Sequence, residues 1–453
     1  YRMNYKKKRL SNLLEQVNLY AAGIDIGSTE HFVAVPEGLD EESVRSFSSF
    51  TGDLNCLADW LVRIGVQTVV MESTGIYWIP LFEILEERGL EVLLVNARHV
   101  KNVTGRKSDV LDCQWLQQLH TYGLLRGAFR PPEQVLALRS YMRQRDNLVR
   151  YCASHIQHMQ KALRQMNLLL DNVVSHITGK TGMAIVRTII EGERDPMVLA
   201  QNRDGRCKRS IEEIAKSLEG NYREEHLFSL KQSVALYDFY QQQISECEQA
   251  IEQQFKLFDA KEGLPEIPSP SGRKSPQAPA FDVRTDLYEM VGVDLTQIDG
   301  ISELVALKLI SETGPSMERW PSAKHFASWL GLSPDNKISG GKILSSGTVP
   351  TANRAAAALR MAAYGLSNSK SYLGGYYRKM RARHGAPKAI TAAAHKLARL
   401  VYSMIKHGAE YVDQGEAFYE QEHKERIIKN LKRRAKEMGL SLVSEDGATT
   451  VTV

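Results

Sequence analysis

Three stretches of different character predict an α/β layer with a mixed sheet at the N-terminus, then a long helical coiled-coil region, then a mainly α-helical C-terminal domain. Residues 20–130 alternate short apolar runs with helical periodicity. Residues 131–260 carry long amphipathic stretches nearly free of Gly and Pro, and residues 285–412 are helix-rich around one Gly/Ser-rich segment. Strands alternating with helices argue for an α/β layer, and sustained apolar spacing near 3.6 argues for packed helices.

In the first segment, "AAGIDIG" and "HFVAV" are apolar runs separated by a turn, which predicts a hairpin, and "VRSFSSF" reads as a third strand. "DLNCLADWLVRIG" has helical periodicity, "TVVMES" reads as a strand, "PLFEILEERG" as a helix ending at Gly89, and "EVLLVN" as a strand. "GRKSDVLDCQWLQQL" (105–119) then reads as a helix whose apolar face is Val110, Leu111, Trp115, Leu116 and Leu119. Farther on, 135–174 and 235–258 look like two arms of a helical hairpin or coiled coil joined through a shorter helical stretch (183–230). The region is expected to carry dimerisation, with its apolar seam at Leu138, Leu148, Leu163 and Leu169. Residues 261–284 open with a Pro/Ser/Gly-rich run and read as a flexible linker. The tail from 413 to 453 reads as a charged helix whose last dozen residues are disordered.

The 453 residues carry a net charge of only +5, but the positive charge is unevenly spread. It gathers in "YRMNYKKKRL", around Arg139, Arg143, Arg150 and Arg164, and in "YYRKMRARHGAPK", with Arg378, Lys379, Arg381 and Arg383. Such patches suit a surface that follows phosphate, although any one of them also fits a solvated helix face. The five cysteines stand far apart with no C-x-x-C pair, which argues against a structural zinc site or a disulfide framework and for a reducing compartment. No apolar run reaches the ~18 residues of a membrane span. A cytoplasmic protein is expected.

Four acids stand out. Asp25 interrupts a strand between Ile24 and Ile26, and Glu72 ends the strand "TVVME". Asp109 and Asp112 lie three apart on one helix, where like charges repel by a few tenths of a kcal/mol. If the helix packs on the end of the sheet, four carboxylates converge, and oxygen-only ligands favour Mg²⁺ or Mn²⁺. The plain alternative is a strand end, a cap and a solvated helical pair. "GIDIGST" is also similar to the first phosphate motif of actin-like and sugar-kinase ATPases, but the second Gly-rich Asp motif and the adenosine-binding Gly pair of those families are absent.

Taken in order, Asp25 in "GIDIGST", Glu72 in "MESTGIYW" and Asp109/Asp112 in "RKSDVLDCQWL" resemble the DEDD transposases of the insertion-sequence 110 family, relatives of the Piv invertase. The resemblance continues through "IDGISELVALKLISETGPSMERWPSAKHFASWLGLSPDNKISGGK", which looks like that family's C-terminal transposase domain. It implies a RuvC-like, RNase H-type N-terminal fold with a divalent-metal tetrad, and a catalytic serine in the Ser-Gly element, here Ser339. It further implies guidance by a non-coding bridge RNA that pairs with donor and target DNA, and a tetramer assembled from dimers. Ser339 is then expected to join a metal site of another chain.

On the same footing, Arg106 and Lys107 beside the acids, and Lys342 and Arg354 beyond Ser339, are expected to touch nucleic acid. Where shorter members carry a Ser-Lys-x-Gly-Asn element, this chain has "SSGTVPTANR", which keeps Asn353 and Arg354 only. Without the covalent serine step, the four acids alone would make a RuvC-like nuclease or junction resolvase.

Overall fold

In a computed structural model of the chain, the structure describes residues 15–73, 75–96, 109–267, 277–408 and 411–441. Arg106, Lys107 and the last dozen residues, assigned above to nucleic-acid contact and to disorder, lie outside these. The chain divides into two compact units, with the boundary between Arg130 and Pro131.

The first unit is built on a five-stranded sheet. Strands β1 (Ala21–Ile26), β2 (Glu30–Ala34) and β3 (Val44–Ser48) form an antiparallel meander, followed by helix α1 (Thr51–Arg63). Strand β4 (Thr68–Glu72), helix α2 (Trp78–Glu87), strand β5 (Glu91–Val95) and helix α3 (Asp109–Thr121) complete it. The order is β3-β2-β1-β4-β5, with β4 parallel to both β1 and β5. Alternation along the strands separates two faces. Ala22, Ile24, Ile26, Val69 and Met71 pack against Leu57 and Leu61 of α1 and Leu81 and Leu85 of α2. Val70 and Val95 on the opposite face meet Leu116 of α3. The sheet is therefore a layer between helices, as the sequence pattern predicts.

The expected apolar face of α3 needs correction. Val110 and Leu111 are exposed, and the side chains that meet the sheet are Cys113, Leu116, Gln117 and His120. The cause is Gly23: a Cβ there would stand 2.3 Å from the Gln117 amide nitrogen and 2.5 Å from the Cys113 carbonyl oxygen. The helix backbone lies directly on β1, so short and polar side chains fill the remaining space. Gln117 donates to Thr121 Oγ1 at 2.9 Å, and His120 bonds Thr68 Oγ1 at 2.9 Å. Both polar groups are satisfied where they are buried.

The second unit is helical. Helix α4 (Glu133–Gln165) leads into α5 (Lys180–Ile190), α6 (Pro196–Ala200) and α7 (Ile211–Ser217), and α8 (Glu224–Phe255) returns along α4. Gln254 reaches the Gln134 carbonyl, Glu248 pairs with Arg145, and Gln241 donates to the Cys152 sulfur, so the two arms run antiparallel. The apolar seam is used inside the chain. Leu148 and Cys152 meet Ile244, and Met159 and Leu163 join a core with Ile185, Ile189, Ile214, Leu218 and Leu230.

Beyond α8 come α9 (Val283–Val291), α10 (Glu303–Thr313), α11 (Ala323–Trp329), strands β6 (Lys337–Ser339) and β7 (Lys342–Ser345), and α12 (Arg354–Gly365). Helices α13 (Tyr372–His384), α14 (Ala386–His407) and α15 (Gly415–Glu437) close the unit. Ala389, Ala393, Ala394 and Ala398 keep α14 thin enough to take α12, itself lined by Ala355, Ala356, Ala362 and Ala363.

The described ends of the 261–284 segment are tied down rather than free. Lys261 Nζ donates to the Val291 carbonyl at 2.5 Å, Tyr288 to the Pro265 carbonyl at 3.0 Å, and Arg145 to the Gln277 carbonyl at 2.8 Å. Glu248 accepts from the Ala280 amide at 2.9 Å. Residues 268–276 lie outside the described part.

Candidate active site

β1 and β4 run parallel in a register that pairs Ile24 with Met71. Asp25 and Glu72 are the next residues along, so they sit level with each other at the C-terminal ends of neighbouring strands. Each follows a residue of the α1/α2 face, and alternation turns both toward the face covered by α3. Asp25, Glu72 and Asp112 are all half-buried. Asp112 stands in the first turn of α3, where the exposed amides of a helix N-terminus favour negative charge.

The Cys113 thiol reports on this corner. Burial, reinforced by the negative charge of Asp25 and, more weakly, of Asp112, pushes it up to about 12. It stays protonated and donates to the Val110 carbonyl, so it offers no thiolate to a cation. Asp109 begins α3, one turn before Cys113.

The donors offered are carboxylate oxygens, which suit a hard divalent cation such as Mg²⁺ or Mn²⁺. Among the described residues no group of three His, Cys, Asp or Glu stands close enough to hold a metal ion.

Ser339 belongs to the second unit. It ends β6 and pairs across the strand with Lys342, around a two-residue turn in which Gly340 (φ 54°) and Gly341 (φ 75°) both take the left-handed conformation. That is the backbone of a tight hairpin turn, open only to residues such as Gly or Asn. Ser339 and Lys342 are exposed at its tip. Asn353 caps α12 by accepting from the Ala356 amide at 3.1 Å, which places Arg354 at the exposed start of that helix.

The arginines separate into two sets. Arg143 grips Glu312 of α10 with both Nε (2.9 Å) and Nη2 (2.8 Å), and Arg139 pairs with Glu312 and donates to its carbonyl. Arg164 is bound to Asp171 and Asn172, and Arg378 to Glu416 and to the carbonyls of Ser367 and Ser369. Lys379 stands 4.0 Å from Glu420, and Arg150 donates to Asn147 in its own helix. Arg354, Arg381, Arg383 and Lys342 are exposed without an ion pair among the described residues. The structure thus occupies Arg139, Arg143, Arg164 and Arg378 with contacts inside the chain, and leaves the last four open to a partner. Sequence reasoning missed Gly23 and Gln117, which set the helix on the sheet, and the buried Arg145–Glu248 pair.

A β3-β2-β1-β4-β5 mixed sheet, with acids ending its two central parallel strands and another on the helix laid over them, defines an RNase H-type, RuvC-like domain of the class that acts on nucleic-acid phosphodiesters. Residues 22–168 match the DEDD transposase model of the IS110 family, and residues 294–407 match the transposase model of the IS116/IS110/IS902 family. Together the matches take in more than half of the chain, which belongs to the IS110 family of transposases. It is therefore a DNA transposase, a strand-breaking and strand-joining enzyme. No curated protein matches alongside these family models. Among the described residues, no helix is long and apolar enough to cross a membrane.

Proposed function

We propose that this transposase is an RNA-guided recombinase that cuts DNA through a covalent phosphoserine on Ser339, assisted by a divalent-metal site at Asp25, Glu72, Asp109 and Asp112. The observation that carries the metal half is the level placement of Asp25 and Glu72 under the helix that bears the other two acids. A divalent cation bound there supplies positive charge at the scissile phosphate, as in other phosphoryl-transfer sites. The serine half rests on the tip of the β6–β7 hairpin, where an exposed hydroxyl stands beside Lys342.

The chain's own residues then have defined tasks. Ser339 Oγ forms the bond to phosphorus as its proton leaves, and the bond from phosphorus to the departing nucleoside oxygen breaks. That oxygen takes up a proton and becomes a free strand end. In the second step a free hydroxyl of another strand attacks the phosphoserine and releases the serine, so the strands rejoin without ATP. Attack requires an in-line approach at about 3–3.5 Å. Ser339 must therefore reach a metal site, and a second chain is the proposed source of that site. Lys342 holds a nearby phosphate as a point charge, and Arg354 holds one through its planar guanidinium fork.

The guide is a non-coding bridge RNA, with base pairing selecting donor and target DNA while the protein reads backbone and shape. The working assembly is a tetramer of two dimers in the cytoplasm. Purifying the protein from cells that carry its whole element, and sequencing the RNA that comes with it, tests the guide. One abundant RNA from the element's end supports this reading, whereas protein free of any such RNA that still recombines DNA overturns it.

A further inference from the structure

A cleft of about 720 Å³ opens in the C-terminal unit between α14, the start of α13, the Pro321–Ala323 turn and residues 411–414. Lys396, Arg399, Lys406 and His407 line it, against a single acid, Asp413. Lys406 is partly spoken for by Glu318 at 2.5 Å, but that carboxylate is largely exposed, and surface pairs of this kind exchange readily. Neither Lys396 nor Arg399 has a carboxylate within ion-pairing distance among the described residues.

Lys396 is half-buried, with its ammonium 4.1 Å from the centre of the Tyr376 ring and 4.9 Å from that of Tyr372. Two ring faces are a modest counterweight to a desolvated cation. Burial, then the neighbouring guanidinium of Arg426, and also that of Arg399, press Lys396 toward its neutral form, and only Glu422 opposes them. Like charges gathered in this way favour an anion. Leu373, Leu400, Tyr411 and Val412 give the lining an apolar and aromatic part, beside the uncharged polar side chains of Ser322, Ser403 and Gln414. The volume lies in the range of small-molecule sites.

We propose that this cleft holds one unpaired nucleotide of a nucleic-acid strand, with its phosphate at Arg399 and Lys396 and its base against the wall of Tyr411 and Leu400. The inference rests on reading the chain as an enzyme of nucleic acid, and it adds a recognition site outside both the carboxylates and the serine hairpin. Cations beside aromatic rings are the combination that single strands use, because every base has a π face. A base inside a duplex presents only its edge, so a paired strand is excluded.

The test uses the full chain and a short single strand carrying one 5-iodo-2′-deoxyuridine, which cross-links under ultraviolet light to aromatic rings in contact. Binding is followed in parallel by fluorescence anisotropy. The expected result is a cross-link at Tyr411 or Tyr372, weaker by about tenfold in Arg399→Glu, as the loss of one stacked, charge-held base implies. Arg399 is exposed, so this variant folds; Lys396→Met is the second variant and should weaken the cross-link likewise. The same strand in a duplex should not label the cleft. Three results overturn the proposal: equal labelling by the iodinated mononucleotide, labelling unchanged in both variants, or a bound strand that labels only other residues. The last leaves the proposed RNA-guided recombination standing, whereas a chain that binds no nucleic acid, single-stranded or duplex, removes both.

Discussion

Gly23 of β1 and Gln117 of α3 meet backbone to backbone, with room for no side-chain carbon between them. This contact lays the helix that carries Asp109 and Asp112 across the strand that carries Asp25. Gly23→Ala must therefore lift the helix or bend the strand, a backbone clash expected to cost roughly 3 kcal/mol. Thermal unfolding of the full chain should register the loss in the first transition, with cleavage falling in parallel. Wild-type stability in Gly23→Ala would mean that the helix is not fixed where it lies.

The acids should act as charges rather than as structural supports. Asp25→Asn, Glu72→Gln, Asp109→Asn and Asp112→Asn keep size and hydrogen bonding while removing the ligand charge, and each should lower strand cleavage by about a hundredfold or more. Circular dichroism and RNA retention should stay unchanged. Near-normal recombination by any two of the four would take the carboxylates out of the reaction.

Arg139 and Arg143 converge on Glu312, which is nearly buried between them. Glu312→Ala leaves the two guanidinium groups without their shared carboxylate, at a cost of about 1–3 kcal/mol because Arg143 is partly exposed and Arg139 keeps its backbone carbonyls. Arg150→Ala, on the exposed side of the same helix, should leave the melting temperature unchanged. Denaturant titration of both variants separates the two roles. If Arg143→Ala weakened RNA binding while Glu312→Ala left stability intact, the assignment of Arg143 to nucleic acid would be restored.

His31 and His120 are buried in the first unit, and burial holds both imidazoles below their ordinary value of 6.5. Their neutral forms belong to the fold, so the unfolded chain takes up more protons as pH falls below 6.5. Their contribution is complete above that pH and is lost as the pH drops toward the depressed folded values. Melting curves between pH 7.5 and 5.5 should show the first unit losing stability, less so in His120→Gln. A first transition that is flat with pH would contradict this.

Much of the first unit was legible in the sequence because strand alternation and helix periodicity are local signals. Asp25 and Glu72 stood out as charged residues in otherwise apolar strands. The face of α3 was misread because hydrophobicity pointed to Val110 and Leu111, whereas close backbone contact at Gly23 favours Cys113, Gln117 and His120. The arginines were ambiguous for another reason. Arg143 finds its carboxylate 169 residues away and Arg145 finds its own 103 residues away, and a window of sequence around either holds no trace of that partner. The expected seam of Leu148 and Leu163 was correctly seen as apolar, but its partner is α8 and the connecting helices of the same chain.

Composite sites should be separable by mixing. Asp25→Ala chains combined with Ser339→Ala chains leave one intact pairing of acids and serine per mixed dimer if the site is shared between chains. Covalent attachment of DNA should then partly return. Its absence in verified mixed dimers would place the serine with the acids of its own chain.

The central claim is that Ser339 carries the DNA. Purified protein with its RNA and labelled donor DNA, quenched in denaturant and resolved on a gel, should give a protein–DNA adduct whose phosphate maps by mass spectrometry to Ser339. The adduct should vanish in Ser339→Ala and in Asp25→Asn. Cut strands that run free of protein in the wild type, or an adduct that persists in Ser339→Ala, would contradict the account.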